Sequence, residues 1–219
     1  MSDQSFLNWP FFEDKHRVLA LELENWAKSE LTEYSSAPAN VDLACQELVQ
    51  KLADGGWLDY CVTNKYGGTN PNLDVRSLCL IRETLARFSG LADFAFAMQG
   101  LGSGTISLFG SAELKQKYLP DVRSGNKIAA FALTEPDAGS DAAALTTTAE
   151  QVDTSFVLNG EKTLISNGGI ADYYTVFAKT GEAPGTRGIS AFVVDADTTG
   201  LEINERIEVI APHPLARIR

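Results

Sequence analysis

The feature that most constrains this chain is a change of hydrophobic period near residue 126. Before it, apolar residues recur every three or four positions, which places them on one face of a helix. After it, they recur at every second position, the pattern of half-buried strands. Leu19, Leu23, Trp26 and Leu31 mark a first helix. A second runs from Asn40, a good N-cap residue, to Asp54, where Gly55 and Gly56 end it. A third covers residues 74–88, with Leu78, Ile81, Leu85 and Phe88 as its stripe. Residues 91–109 are apolar and alanine-bearing and read as a buried helix. Ser111 caps a shorter helix that has Pro120 near its end.

In the second half, strands are expected at residues 128–133, 145–150, 156–158, 162–166, 173–179, 188–194 and 202–210. Asn159-Gly160 is a strong two-residue turn signal and predicts a hairpin between its flanking strands. The fold class is therefore α+β: an all-helical domain, residues 1–126, followed by an antiparallel barrel or sandwich domain, residues 127–219. The sequence "HPLARIR" ends inside what reads as another strand. An unpaired sheet edge is a liability, so a truncated chain with an incomplete β domain is expected.

Composition narrows the function. The chain has 219 residues, 44% hydrophobic and 21% charged, which suits a packed core. A net charge of -11 without a Lys/Arg cluster argues against a nucleic-acid partner. No apolar run is long enough to span a bilayer. The N-terminus lacks the basic start and apolar core of a secretory signal. Cys45, Cys61 and Cys79 are odd in number, widely spaced and read as core thiols, which predicts a reducing, cytoplasmic setting. Only two histidines are present, His16 and His213, so no metal site is expected. His213, between Pro212 and Pro214, reads as a surface-loop residue.

Several motifs point to chemistry and fall short of it. "GLGSGT" at 100–105 has glycines, but its spacing and helical flanks are wrong for a dinucleotide loop, so a close helix crossing is expected. Glu135, Asp137 and Asp141 lie in a turn sequence without histidine neighbours, which favours capping or turn stabilisation over catalysis. Ser140 follows Gly139 but lacks the frame of a hydrolase nucleophile. The segment they share, "FALTEPDAGSDAAALTTTAE", starts as a strand and breaks into small, polar residues that let a ligand approach the backbone.

That segment resembles the flavin-binding signature of the acyl-CoA dehydrogenase family. "FVLNGEKTLISNGGIADYYTVFAKT", "GISAFVVDADTTGLEI", "KYGGTN" and "FGSAELKQKYLPDVRSGNKIAAFALTEP" resemble further family segments in the expected order. The likeness covers nearly the whole chain. It implies an N-terminal helical domain and most of a middle β domain, with the family's C-terminal helical bundle outside this chain. The cofactor implied is FAD. A flavin needs an apolar face and donors at the edge where charge collects on reduction. By resemblance, Phe131 lies beside the ring. Leu133 and Thr134 address its polar edge with backbone groups and the Thr134 hydroxyl. Gly139 and Ser140 approach the phosphate or ribityl, and Ser140 also meets the pantetheine side of the substrate. Leu164 and Ser166 match a second flavin-contact strand, where the family often carries tryptophan and threonine; Leu164 covers less of a ring than tryptophan.

The implied reaction is α,β-desaturation of an acyl thioester, with coenzyme A or a carrier protein as the acyl carrier. The family's carboxylate base lies in the C-terminal bundle, so no catalytic residue is assigned to this chain, and the chain alone is expected to be inactive. An electron-transferring flavoprotein is the implied acceptor, and homo-oligomers are implied for full-length members. Two other readings compete: a flavin monooxygenase or oxidase on the same fold, and a non-catalytic binding fragment without flavin.

Overall fold

The computed structural model describes residues 3–36 and 38–219. Five α-helices come first: α1 (Asp14–Glu30), α2 (Val41–Asp54), α3 (Val75–Phe88), α4 (Gly90–Phe109) and α5 (Ala112–Arg123). Their starts follow the side chains available. Asn40 accepts from the Leu43 amide, Asp74 from Arg76, Ser89 from Ala92 and Ser111 from Leu114. Pro120 lies inside α5, which continues to Arg123. The buried face of α3 is Ser77, Leu80, Ile81, Thr84 and Leu85, while Leu78 and Phe88 are only half-buried.

Eight strands follow: β1 (Ala129–Ala132), β2 (Thr148–Val152), β3 (Ser155–Asn159), β4 (Lys162–Ser166), β5 (Tyr173–Lys179), β6 (Ile189–Asp195), β7 (Ile203–Arg206) and β8 (Leu215–Ile218). They form two open sheets and no closed barrel among the described residues. In the larger sheet β5 is central: β6 lies antiparallel along one edge, and β1 and then β2 lie parallel on the other. β2 and β3 form a hairpin. The smaller sheet has the order β4-β8-β7 and is antiparallel. The helical-then-β order holds, but the β1–β5 pairing is parallel, a feature that period-two alternation does not reveal.

Two strand expectations shift. The hairpin turn is Asp153-Thr154, with Asp153 at φ 54, a conformation aspartate tolerates. Asn159-Gly160 instead carries the chain from one sheet to the other, because β3 pairs with β2 and β4 with β8. The residues 202–210 yield only Ile203–Arg206 as strand. Pro212 and Pro214, which have no N–H to give a ladder, follow before β8 begins.

The halves share one core. A single apolar cluster contains Leu23, Leu48, Leu85 and Phe96 from the helices and Ala130, Ile165, Val176 and Ile218 from the strands. α4 is the contact element, and Gly102 is where it crosses β1. A Cβ there would meet Ala129 Cβ at 2.6 Å, so glycine sets the approach. The Thr175 hydroxyl donates to the Gly102 carbonyl at 2.7 Å across the same junction. Of the "GLGSGT" glycines, Gly102 makes the expected close crossing, whereas a Cβ at Gly104 would meet nothing within 4 Å. Cys45 and Cys61 are core thiols whose burial pushes them up to about 12, but Cys79 is exposed, on the polar side of α3. His213 is half-buried with its ring 4.5 Å from that of Phe94, so it is a packed loop residue and not a free one.

Candidate functional site

β1 leaves its sheet after Ala132 and enters an irregular loop. Leu133 and Thr134 are half-buried. Glu135 to Ala138 then form a tight turn, closed by Glu135 N–H to Ala138 O at 3.0 Å and the reverse bond at 3.2 Å. Gly139 and Ser140 emerge exposed. A Cβ at Gly139 would meet no protein atom within 4 Å. The space in front of this glycine is open to a ligand. Asp141 caps the short turn Ala142–Ala144 by accepting from the Ala143 amide.

The loop is held from below by Glu135, only 4% exposed. Its carboxylate accepts from the Thr146 amide and hydroxyl, the Thr147 amide and hydroxyl, and the Lys162 ammonium at 2.8 Å. Lys162 is 2% exposed and also donates to the Leu133 carbonyl at 3.1 Å. A buried ion pair is tenable when further hydrogen bonds support it, and here the carboxylate takes four more donors and the ammonium one more acceptor. Burial works to raise the Glu135 carboxyl; the Lys162 ammonium and the donors of Thr147 and Thr146 outweigh it and hold the group at about 2. Burial also pulls the Lys162 ammonium down, against the opposing pull of Glu135.

β4 meets this loop through a bulge. Lys162 pairs with Ile218 and Ile165 with Ala216, so Thr163 and Leu164 together face the single residue Arg217. Leu164 takes the left-handed conformation, φ 55, and its side chain is 55% exposed. That conformation costs a leucine roughly 1–2 kcal/mol. Strained backbone of this kind clusters at ligand sites. The bulge also turns the Thr163 amide to the Thr134 carbonyl, 2.9 Å away. Gly160, just before β4, would place a Cβ 2.4 Å from the Thr147 hydroxyl. Its role is close approach of the Glu135 cluster, which explains the glycine better than a hairpin turn.

Leu133 and Thr134 are therefore tied directly to Lys162 and Thr163, beside Leu164. Gly139 and Ser140 stand on the outer limb of the same loop. Ser166 closes β4 opposite Leu215. Phe131 is half-buried and packs its ring on Phe177 of β5, centroids 4.8 Å apart. Thr146, Thr147 and Thr163 were not legible as contributors, and Lys162 stood in a motif without a role. The one available signal was the apolar strand neighbourhood of Lys162, where an unpartnered ammonium would not be tolerated. The turn carboxylates stabilise structure, as expected for Glu135 and Asp141; Asp137 is exposed at the turn. A cleft of about 600 Å³ opens between the sheets, lined by Phe156, Val176, Phe192, Val194 and Leu201. Lys162 forms one wall, but Phe131, Leu133, Thr134, Gly139, Ser140, Leu164 and Ser166 do not line it.

No described helix is long and apolar enough to cross a membrane. Residues 13–126 match the model of the acyl-CoA dehydrogenase N-terminal domain, and residues 130–216 that of the acyl-CoA dehydrogenase middle domain. The chain is 35% identical over 89% of its length to a 3-(aryl)acrylate reductase of Clostridium sporogenes, covering 52% of that protein. It is 35% identical over 84% of its length to an acyl-CoA dehydrogenase of Bacillus subtilis, covering 48% of it. It also resembles subunit CarC of the caffeyl-CoA reductase-Etf complex of Acetobacterium woodii, at 34% identity over 89% of this chain and 52% of that one. Among solved structures, butyryl-CoA dehydrogenase from Megasphaera elsdenii superposes with a TM-score of 0.80 at 30% identity, covering 94% of this chain and 55% of that one. An FAD complex of PigA superposes with a TM-score of 0.85 at 31% identity, with the same coverages. The chain spans about half the length of the curated relatives it matches. By these matches the chain belongs to the acyl-CoA dehydrogenase family.

Proposed function

We propose that this chain binds FAD between the 133–140 loop and the β4 bulge, and supplies the flavin side of an acyl-thioester dehydrogenase. The observation that carries the reading is the Thr163-to-Thr134 hydrogen bond. It joins the two segments that family resemblance assigns to one flavin. The fit is chemical as well. Leu164 offers an exposed apolar face, held out at the cost of a strained backbone. The Leu133 and Thr134 carbonyls each have a donor already, from Lys162 and Thr163. The groups left to face a ligand are then mainly N–H and hydroxyl donors, which suits the electron-rich edge of a flavin. The open space at Gly139 accommodates a phosphate or ribityl next to the Ser140 hydroxyl.

When bound, FAD supplies the acceptor for a hydride from the β carbon of an acyl thioester. The α proton needs a separate base. We assign none in this chain: Glu135 is sealed by five donors, Asp141 caps a turn, and Asp137 is exposed at the turn. The division at residues 126 and 127, the acyl-CoA or carrier-protein substrate, an electron-transferring flavoprotein as acceptor, self-association in longer members and a cytoplasmic setting belong to the same proposal. CarC's place in an Etf complex supports the acceptor. Three free cysteines support the reducing setting.

The test is the visible absorption spectrum of the purified chain with FAD, before and after anaerobic addition of acyl-CoA thioesters. A bound-flavin spectrum that thioesters leave unbleached is expected. Bleaching by this chain alone would contradict the assignment of the base, and no bound flavin would overturn the proposal.

A further inference from the structure

We propose that Lys162 is a positioning residue for the flavin: by holding the Leu133 carbonyl inward, it aims the Thr134 amide at the cofactor's polar edge. This rests on the flavin site proposed above and identifies what builds it. Among the described residues the chain has no cis peptide bond. In a planar trans unit the carbonyl of one residue and the N–H of the next point in opposite directions. The Leu133 carbonyl is directed at the Lys162 ammonium, 3.1 Å away, in a site where the side chain is 3% exposed. The Thr134 N–H must then point away from the buried ammonium.

The next peptide is fixed in the same manner. Its carbonyl, that of Thr134, takes the Thr163 amide, and its N–H, that of Glu135, goes to Ala138 O. Neither bond uses the Thr134 amide. Thr134 thus sits between two locked carbonyls, with its own N–H and hydroxyl outside the bonds that hold the loop. Lys162 cannot do this as a lone buried charge; Glu135 makes an ammonium tenable there, and Thr146 and Thr147 complete the carboxylate's shell. The pair as a whole is close to neutral. Its effect on a flavin is therefore one of orientation: a directed N–H dipole at the edge that gains negative charge on reduction.

Removing Lys162 alone strands the Glu135 carboxylate and threatens folding. The test therefore uses the apolar pair Lys162→Met with Glu135→Leu, and the amide pair Lys162→Gln with Glu135→Gln, which retains a donor for the Leu133 carbonyl. Circular dichroism and thermal melting establish folding. Quenching of FAD fluorescence gives affinity, and anaerobic reductive titration gives the midpoint potential of the bound flavin. The apolar pair is expected to fold, to bind FAD at least about tenfold more weakly, and to hold a flavin of more negative potential, because a donor to the reduced ring is lost. The amide pair is expected to recover most of both. In the FAD-free chain, the Leu133 carbonyl carbon resonance should move in the apolar pair and return toward the parent value in the amide pair. A folded apolar pair with parent-like affinity and potential would overturn the role of Lys162 while leaving the flavin site intact. A parent chain that binds no FAD would overturn the flavin site itself, and this proposal with it.

Discussion

The helical and β halves each bury a charged cluster, and the two are built differently. In the helical half, His16 is fully buried at the first turn of α1. Its Nδ1 accepts from the Glu13 amide and its Nε2 donates to Asp74, which caps α3. Lys15 and Arg76 approach the same carboxylate from a side open to water, with side chains 50% and 41% exposed. In the β half, the Glu135 and Lys162 side chains are each only 3% exposed. The first cluster has two part-hydrated cations, Lys15 and Arg76, each shared between the Asp74 and Glu13 carboxylates, so its members are partly redundant. The second has one cation and very little exposure to solvent. Redundant charges suit a clamp that only joins two helix starts. A sealed pair fixes a loop in one conformation while leaving its outer face free, which is what a ligand site needs.

The largest contrast should appear when each cluster loses one charge. Lys162→Met leaves a buried carboxylate unpaired and should cost about 3–5 kcal/mol in urea denaturation. Asp74→Ala removes a cap and the His16 partner but leaves hydrated cations, and about 1–2 kcal/mol is expected. Equal losses would dissolve the distinction between the clusters. Acid should act on both in one direction. Glu135 has a folded-state pKa of about 2 against an ordinary 4.5, so its stabilisation is full above the unfolded value and is lost as pH falls from about 4.5 towards 2. Asp74 is also held low: burial alone would raise it, and the bonds from His16, Arg76 and Lys15 overcome that. Stability measured from pH 6 down to pH 2 should therefore fall, and a flat profile would contradict the ionised pairs. The smallest effect has the opposite sign. Leu164→Gly relieves a left-handed leucine and should stabilise the chain by up to about 1 kcal/mol while weakening FAD binding. A destabilised variant would mean that Leu164 is held by packing rather than kept for a ligand.

Much of the fold was legible because the helices start at side chains that can cap them and bury stripes of the expected period. Asn40 and Ser111 were read this way, and Asp74 proves to cap the third helix as well. Family resemblance named Thr134 and Leu164 together, and the structure brings their segments into contact although 29 intervening positions hide their proximity. What the sequence concealed is non-local. The parallel β1–β5 pair depends on strands 40 residues apart, and the bulge at Leu164 leaves no mark because a leucine stands where glycine would announce it. Asn159-Gly160 misled for a related reason: its glycine serves contact with Thr147, a tertiary demand that imitates a turn signal. Cys79 was read as core from its residue type, but its place on α3 puts it outside the buried stripe.

The most direct test of the flavin site is a fluorescence titration of FAD into the parent chain and into Leu164→Asp. A carboxylate at this exposed position should spare the fold and repel the electron-rich ring. Saturable quenching by the parent, and its loss in the variant, is the predicted result. Equal binding by both would place the flavin away from the β4 bulge and contradict the account.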